Sequence, residues 1–231
     1  MQTYQLELEE IKIQVTQKRI KNLHLKICPP NALVKVSAPL RLTQNSIKSF
    51  ITSRLSWIRE KQIKILSQKR LPEKKYLNGE VHSFFGKDYE LEILETNSKP
   101  FIILTTDKIK LHIRKNFTPS QRQKIISEWH RISLKKIIPN YIKKWEEKMN
   151  LRVNEFGIKK MKTRWGTCNI KAKRIWINLE LAKKHETCLE YIVVHEMVHL
   201  LEKNHNKKFF AHMDNFMPDW RHWKKELKTM L

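Results

Sequence analysis

The protein has 231 residues, of which 47 are Lys or Arg and 23 are Asp or Glu, giving a net charge of +24. Hydrophobic residues make up 40% and there are only four glycines, which excludes collagen-like and low-complexity chains. The apolar content suffices for a core in one large domain or two small ones.

The N-terminal third reads mainly as strand. Tyr4, Leu6 and Leu8 alternate with polar residues. Ile11, Ile13 and Val15 alternate again after a slip of phase, which marks a bulge or a turn. Leu23, Leu25 and Ile27 keep the period of two until Pro29-Pro30, and Leu33 to Val36 forms another short strand. A helix is expected from about Thr43, with Ile47, Phe50, Ile51, Leu55 and Ile58 on one stripe interrupted by Arg54. It runs into a basic end at Lys69-Arg70 and stops before Pro72. Strands return over 79–114, where Phe84-Phe85-Gly86-Lys87 looks like a hairpin turn. Tyr89, Leu91 and Ile93, then Phe101 to Leu104, then Ile109, Leu111 and Ile113 carry the apolar positions.

Thr118-Pro119-Ser120-Gln121 has the composition of a capped helix start. Pro139 is expected to kink or break that helix near Ile138. Strands follow at about 156–161, 164–168 and 174–177, the last two joined by a loop over Asn169 to Lys173. Helices take the rest, at about 185–203, 206–216 and 219–229. No internal repeat is visible. The expected class is α+β, with a β-rich part containing one helix over 1–115 and a second domain over 116–231.

No apolar run approaches the roughly 18 residues of a membrane span. Met1 to Glu10 carries Glu7, Glu9 and Glu10 and lacks the basic start and apolar stretch of a secretory signal. The expected location is the cytoplasm. Cys28, Cys168 and Cys188 are odd in number and far apart, which argues for reduced thiols and against a disulfide framework or zinc ribbon. The basic balance admits non-specific nucleic acid or nucleotides as partners. It equally describes a solvated surface, because the lysines are scattered over the whole chain.

His195-Glu196-Met197-Val198-His199 is an HExxH motif. On a helix, residues four apart share a face, so both imidazoles can grip one metal ion. Glu196 then lies close enough to reach a metal-bound water as general base. Leu189, Ile192, Val193, Val194, Met197, Val198, Leu200 and Leu201 make this helix apolar nearly all round. Two His and a Glu inside a buried helix are costly unless they bind something. His205 follows six residues after His199, the HExxH-x5-H spacing of three-histidine zinc sites, and Asn204 can let the chain swing it back. Glu202 stands where a metzincin has Gly, so the turn must differ from that family's. Asp214 and Glu226 are the other candidates for the third ligand. Trp165 and Trp176 read as core residues.

Three stretches resemble the YgjP-like metallopeptidase domain family. They are Arg164-Trp165-Gly166-Thr167-Cys168; Ile177-Asn178-Leu179 ahead of His195 to Leu200; and Asn204-His205 with Phe209-Phe210 and Met217-Pro218-Asp219-Trp220. That family is similar to the SprT-type zinc proteases in its active-site helix. The resemblance is tight over about 155–225 and loose over the β-rich part; Thr167 stands where the family more often has Ser. It implies a minimal zincin-like domain holding one Zn2+ through His195, His199 and His205, with Glu196 as base.

The expected function is a zinc metallopeptidase, in which Glu196 deprotonates a metal-bound water and returns the proton to the leaving group. Arg164 is expected on a strand beside the helix, steadying an oxyanion or pairing structurally with a carboxylate. The strand around Trp165 offers an edge for an extended peptide. The alternatives are a zinc-dependent nucleoside triphosphate hydrolase and a basic nucleic-acid-binding module with structural zinc. No Walker loop supports the first, and an intact Glu196 argues against the second.

Overall fold

The slip of phase between Leu8 and Ile11 is a two-residue turn. In the computed structural model, which describes residues 1–67 and 74–228, β1 (Gln2–Leu8) and β2 (Ile11–Lys18) form an antiparallel hairpin. Glu9 and Glu10 at its tip both have positive φ, 47° and 68°. Such a turn matches the twist of the strands it joins. β3 (His24–Cys28) pairs antiparallel with β4 (Leu33–Pro39), and β4 runs parallel to β2, giving the order β1-β2-β4-β3. One face of this sheet buries Ile13, Val15, Val34, Val36 and Ala38 against Ile47, Ile51 and Ile58. The last three come from α1 (Gln44–Thr52) and α2 (Leu55–Ser67). The expected single helix is therefore two. Thr43 caps the first, and the Ser53 backbone N–H closes it on Ser49 O before the chain restarts at Leu55. The basic end expected at Lys69-Arg70 lies outside the described residues.

The strands from Val81 onward repeat that arrangement. β5 (Val81–Phe84), β6 (Lys87–Glu95), β7 (Phe101–Leu104) and β8 (Lys108–Ile113) take the order β5-β6-β8-β7, with the same sequence of antiparallel, parallel and antiparallel pairings. Phe85 and Gly86 form the matching turn, at φ 44° and 79°. A Thr-capped helix follows, as one follows the first sheet. Thr118 Oγ1 accepts from Gln121 N at 3.3 Å while Gln121 Oε1 accepts from Thr118 N at 2.7 Å, the reciprocal cap its sequence predicts. The chain thus contains a repeat of topology that the sequence does not display. Topology is kept by alternation and turn geometry, and many residue sets satisfy both.

The chain divides into two compact units, Met1–Glu73 and Lys74–Leu231. The boundary expected near Asn116 lies inside the second. Leu91, Ile109, Leu111 and Ile113 of the second sheet share a core with Ile126 of the following helix, so cutting there would expose it. That helix, α3 (Pro119–Met149), runs unbroken through Pro139. Proline removes one backbone hydrogen bond. Leu134, Ile138, Ile142, Trp145 and Met149 on either side of it are all buried in the main core, and that burial outweighs the loss.

β9 (Glu155–Lys159), β10 (Gly166–Asn169) and β11 (Arg174–Asn178) form a three-stranded sheet in the order β10-β11-β9. A short 3-10 helix, Leu179–Lys183, leads into α4 (Glu186–Val198), followed by α5 (Lys207–Phe216) and α6 (Trp220–Lys228). The last residue of the helix expected over 219–229 lies outside the described residues. The whole is α+β. Among the described residues no helix is long and apolar enough to cross a membrane.

Candidate metal centre

HExxH occupies the last turn of α4, a helix buried on almost every side by Leu189, Ile192, Val193, Val194, Met197 and Val198. α4 ends at Val198, earlier than the expected 203. Leu200 N and Leu201 N bond to the carbonyls of Met197 and Val198, three residues back, and this tightening turns the chain out of the helix. The loop that follows brings His205 back over the motif. Its Nε2 lies 3.0 Å from His195 Nε2, and one ligand atom from each of His195, His199 and His205 lies within 4.8 Å of the others. Phe209, fully buried, packs against all three rings at centroid distances of 4.6–5.0 Å. Asp214 and Glu226 do not join this group. Asp214 is held by Trp220 Nε1 at 2.8 Å and by Arg221.

The donor set fits a metal ion. His199 Nδ1 lies 3.2 Å from Glu202 O. A carbonyl only accepts, so Nδ1 donates there and Nε2 is the nitrogen left for a metal ion. Burial, the neighbouring His199 and His205 and the charge of Lys224 hold His195 down at about 3. Burial, His199 and Lys224 lower His205 as well. Neutral imidazoles are the ligating form, and three of them are a known catalytic zinc set.

Glu196 lies against Gly166 of the sheet and is 5% exposed. Burial pushes its carboxyl up to about 8, with the Arg164 charge opposing. Gly166, the first residue of β10, makes room for it. A Cβ there would meet Glu196 Oε1 at 2.6 Å and Cγ at 2.7 Å. Arg164 lies in the bend before β10, not on a strand as its sequence context suggests. Asn178 sets that bend. Its Nδ2 donates to Arg164 O at 2.7 Å and Met161 O at 2.9 Å, its Oδ1 accepts from Met161 N and Glu180 N at 3.2 Å, and its backbone N donates to Trp165 O at 2.9 Å. With 1% exposure it is a buried amide with full bonding.

The trio, Glu196 and Arg164 line one cleft of about 730 Å3, walled on one side by Thr163 to Cys168 and on the other by Tyr191, Lys203 and Lys224. Trp165 contributes to the wall; Trp176 does not, its ring lying across Gly157 of the neighbouring strand. A smaller concavity in the first unit, lined by Arg19, Ile20, Lys21, Pro39, Leu40 and Arg41, offers no carboxylate, thiol or imidazole. Phe209, Gly166 and Asn178 are positions that reasoning on ligand spacing alone misses. Their signal in the chain is their place in the three stretches that carry the family resemblance, which does not say what they do.

The second sheet is joined to this site through its turn. Phe85 N donates to Ala182 O at 2.8 Å, and Gly86 lies against the backbone of His185, the residue that caps α4.

A model of the YgjP-like family, described as a metallopeptidase domain, matches residues 21–230 of this chain. Among solved structures, the chain is similar to the metallopeptidase zymogen of Pyrococcus abyssi abylysin. Identity is 16% and the TM-score 0.38, over 41% of this chain and 94% of that one. It is similar also to the metallopeptidase zymogen of Methanocaldococcus jannaschii jannalysin, at 23% identity and a TM-score of 0.35, over 39% of this chain and 92% of that one. No curated protein matches the chain.

Proposed function

The chain belongs to the YgjP-like metallopeptidase family, and from that premise we propose that it is a zinc-dependent peptidase of the cytoplasm working through His195, His199, His205, Glu196 and Arg164. One observation carries this reading. The three converging imidazoles and the buried Glu196 lie in a cleft walled by an edge strand, because β10 pairs with β11 alone among the described strands. An extended peptide can add to such an edge through main-chain hydrogen bonds. The free thiols of Cys28, Cys168 and Cys188 suit a reducing compartment.

His195, His199 and His205 would hold one zinc ion, which supplies Lewis acidity and lowers the pKa of water. The protein supplies the rest. Glu196 accepts the proton of the attacking water at its carboxylate and returns it to the leaving amine. Arg164 offers donors to the oxygen on which negative charge develops. Gly166 keeps Glu196 in place and Asn178 keeps the Arg164 bend.

The test is metal content by mass spectrometry on untagged wild type, Glu196→Gln and His195→Ala, followed by peptide and nucleoside triphosphate panels. Zinc in the first two and not the third is expected, with peptide cleavage by wild type lost in Glu196→Gln by about 10²–10⁴-fold. No metal in wild type after zinc is added back overturns the reading. Hydrolysis of nucleoside triphosphates with no peptide cleaved overturns the peptidase part of it.

A further inference from the structure

Four charged side chains line the cleft: Glu196, Arg164, Lys203 and Lys224. Glu196 is buried and committed to the proton transfer. The three cations form no ion pair among the described residues.

Their number alone says little in a chain with twice as many basic as acidic residues. Their placement says more. Lys224 is half-buried, and its ammonium lies 5.0 Å from the Trp220 ring centre and 5.8 Å from that of Phe210. Both rings are themselves fixed. Trp220 is buried and donates its indole N–H to Asp214, and Phe210 stacks on Trp220 at 5.6 Å. Aromatic faces hold a cation without neutralising it. Arg164 is set by the Asn178 hydrogen bonds to its bend. Lys203 sits on the loop between His199 and His205.

Three carboxylates of the neighbouring segments bond to other groups and form no ion pair with these cations among the described residues. Asp214 is bound by Trp220 and Arg221, Asp219 by Trp223 Nε1 at 2.7 Å, and Glu202 by Asn204 N at 3.2 Å. Held cations without counterions favour binding of an anionic group.

We propose that the cleft selects peptides carrying Asp or Glu side chains next to the scissile bond, with Lys224, Lys203 and Arg164 supplying the complementary charge. This rests on the peptidase reading and names its substrate class. Lys224, fixed on two rings, is the specificity determinant; Lys203, exposed on its loop, tunes the outer part of the cleft.

The experiment measures binding of fluorescent peptides by anisotropy to full-length zinc-loaded Glu196→Gln, which holds peptide without turning it over. Peptides of one length carry Glu, Gln or Lys on both sides of a common central pair. The Glu peptide is expected to bind about tenfold tighter than the Gln peptide, with the ratio shrinking at high salt. Lys224→Met added to that variant keeps the packing on Trp220 and is expected to erase most of the ratio; Lys224→Glu is expected to favour the Lys peptide. A melting temperature for each variant separates lost charge from lost fold. Equal binding of all three peptides by a protein that cleaves peptides overturns this proposal and leaves the peptidase standing. A preference for Glu that survives Lys224→Met in a folded protein overturns the assignment to Lys224. Binding of nucleoside triphosphate but of no peptide overturns the peptidase reading itself.

Discussion

The sheets β1-β2-β4-β3 and β5-β6-β8-β7 share strand order, pairing sense, a two-residue left-handed turn and a Thr-capped helix after the last strand. They differ in what surrounds them. The first closes on α1 and α2 and makes a core of its own. The second shares its core with α3, and its turn carries Phe85 and Gly86 onto Ala182 and His185 at the entrance to α4. The first turn instead carries two glutamates, one paired with Arg59 at 2.5 Å. One topology therefore makes a core of its own in one place and buttresses the helix of the candidate metal centre in the other. The pieces that decide between these roles are a few turn and cap residues.

If the chemistry belongs to the second unit, the largest effect comes from a single methyl group there. Gly166→Ala would press its Cβ on the Glu196 carboxylate. Peptide turnover is expected to fall by at least about tenfold through misplacement of the base, while zinc content stays at the wild-type level. Lys35→Gln on the open face of the first sheet serves as the counterpart and is expected to leave turnover unchanged. A rate loss in the second variant as large as in the first would break the comparison.

Acid should separate the units next. His82 and His130 are buried in the second unit, and their Nε2 atoms have no hydrogen-bond partner. Burial lowers both from the ordinary 6.5 to about 4. The unfolded chain therefore binds more protons between these values, so stability is complete above about 6.5 and is lost as pH falls towards 4. The loss is on the order of a few kcal/mol for the pair. The only histidine of the first unit, His24, is exposed. Unfolding of the metal-free protein, followed from pH 7 to 4, is expected to show the second unit weakening first. His130→Gln should flatten part of that slope. A first unit that weakens in parallel would refute the assignment.

Much of this was legible in the residues. Period-two alternation placed the strands of both sheets, and the Thr118–Gln121 cap and the Thr43 start placed two helices. HExxH with His205 named the three imidazoles that the fold brings together, because spacing along a helix translates directly into a shared face. What stayed hidden depends on contacts distant in sequence. Nothing local to Asn116 reveals that Ile126 completes the second sheet's core, nor that burial around Pro139 outweighs its missing hydrogen bond. Gly166 matters through the Glu196 side chain 30 residues away and Asn178 through the Arg164 carbonyl 14 residues away, and no periodic pattern encodes that. The repeated topology escaped because its two copies share geometry without sharing sequence.

The turn that buttresses α4 can be tested at Gly86. Its φ of 79° disfavours any side chain, and a Cβ would meet His185 Cα at 2.9 Å. Gly86→Ala is expected to cost about 1–3 kcal/mol of second-unit stability, measured by urea unfolding. A smaller loss in zinc affinity should accompany it, since the cap of α4 must shift. Stability lost without any change at the metal site would mean that the turn holds the sheet but not the helix.

The smallest effect runs in the opposite direction, at the matching position of the first unit. Glu10 has φ 68° and carries a side chain into a conformation that costs an L-residue about 1–2 kcal/mol. Glycine adopts it freely but gives the unfolded chain more freedom to lose, which returns about 0.5–1 kcal/mol of that gain. Glu10→Gly should therefore stabilise the first unit by about 0.5–1 kcal/mol, with the Glu9–Arg59 pair left in place. Zinc content and turnover are expected not to move. Gly86→Ala adds a Cβ at a left-handed turn position and Glu10→Gly removes one at the equivalent position, so backbone strain alone gives them opposite signs, and the contact with His185 should make the Gly86→Ala loss the larger of the two. Changes of equal size and opposite sign would show that backbone strain at the turn, and not its neighbour, sets the cost.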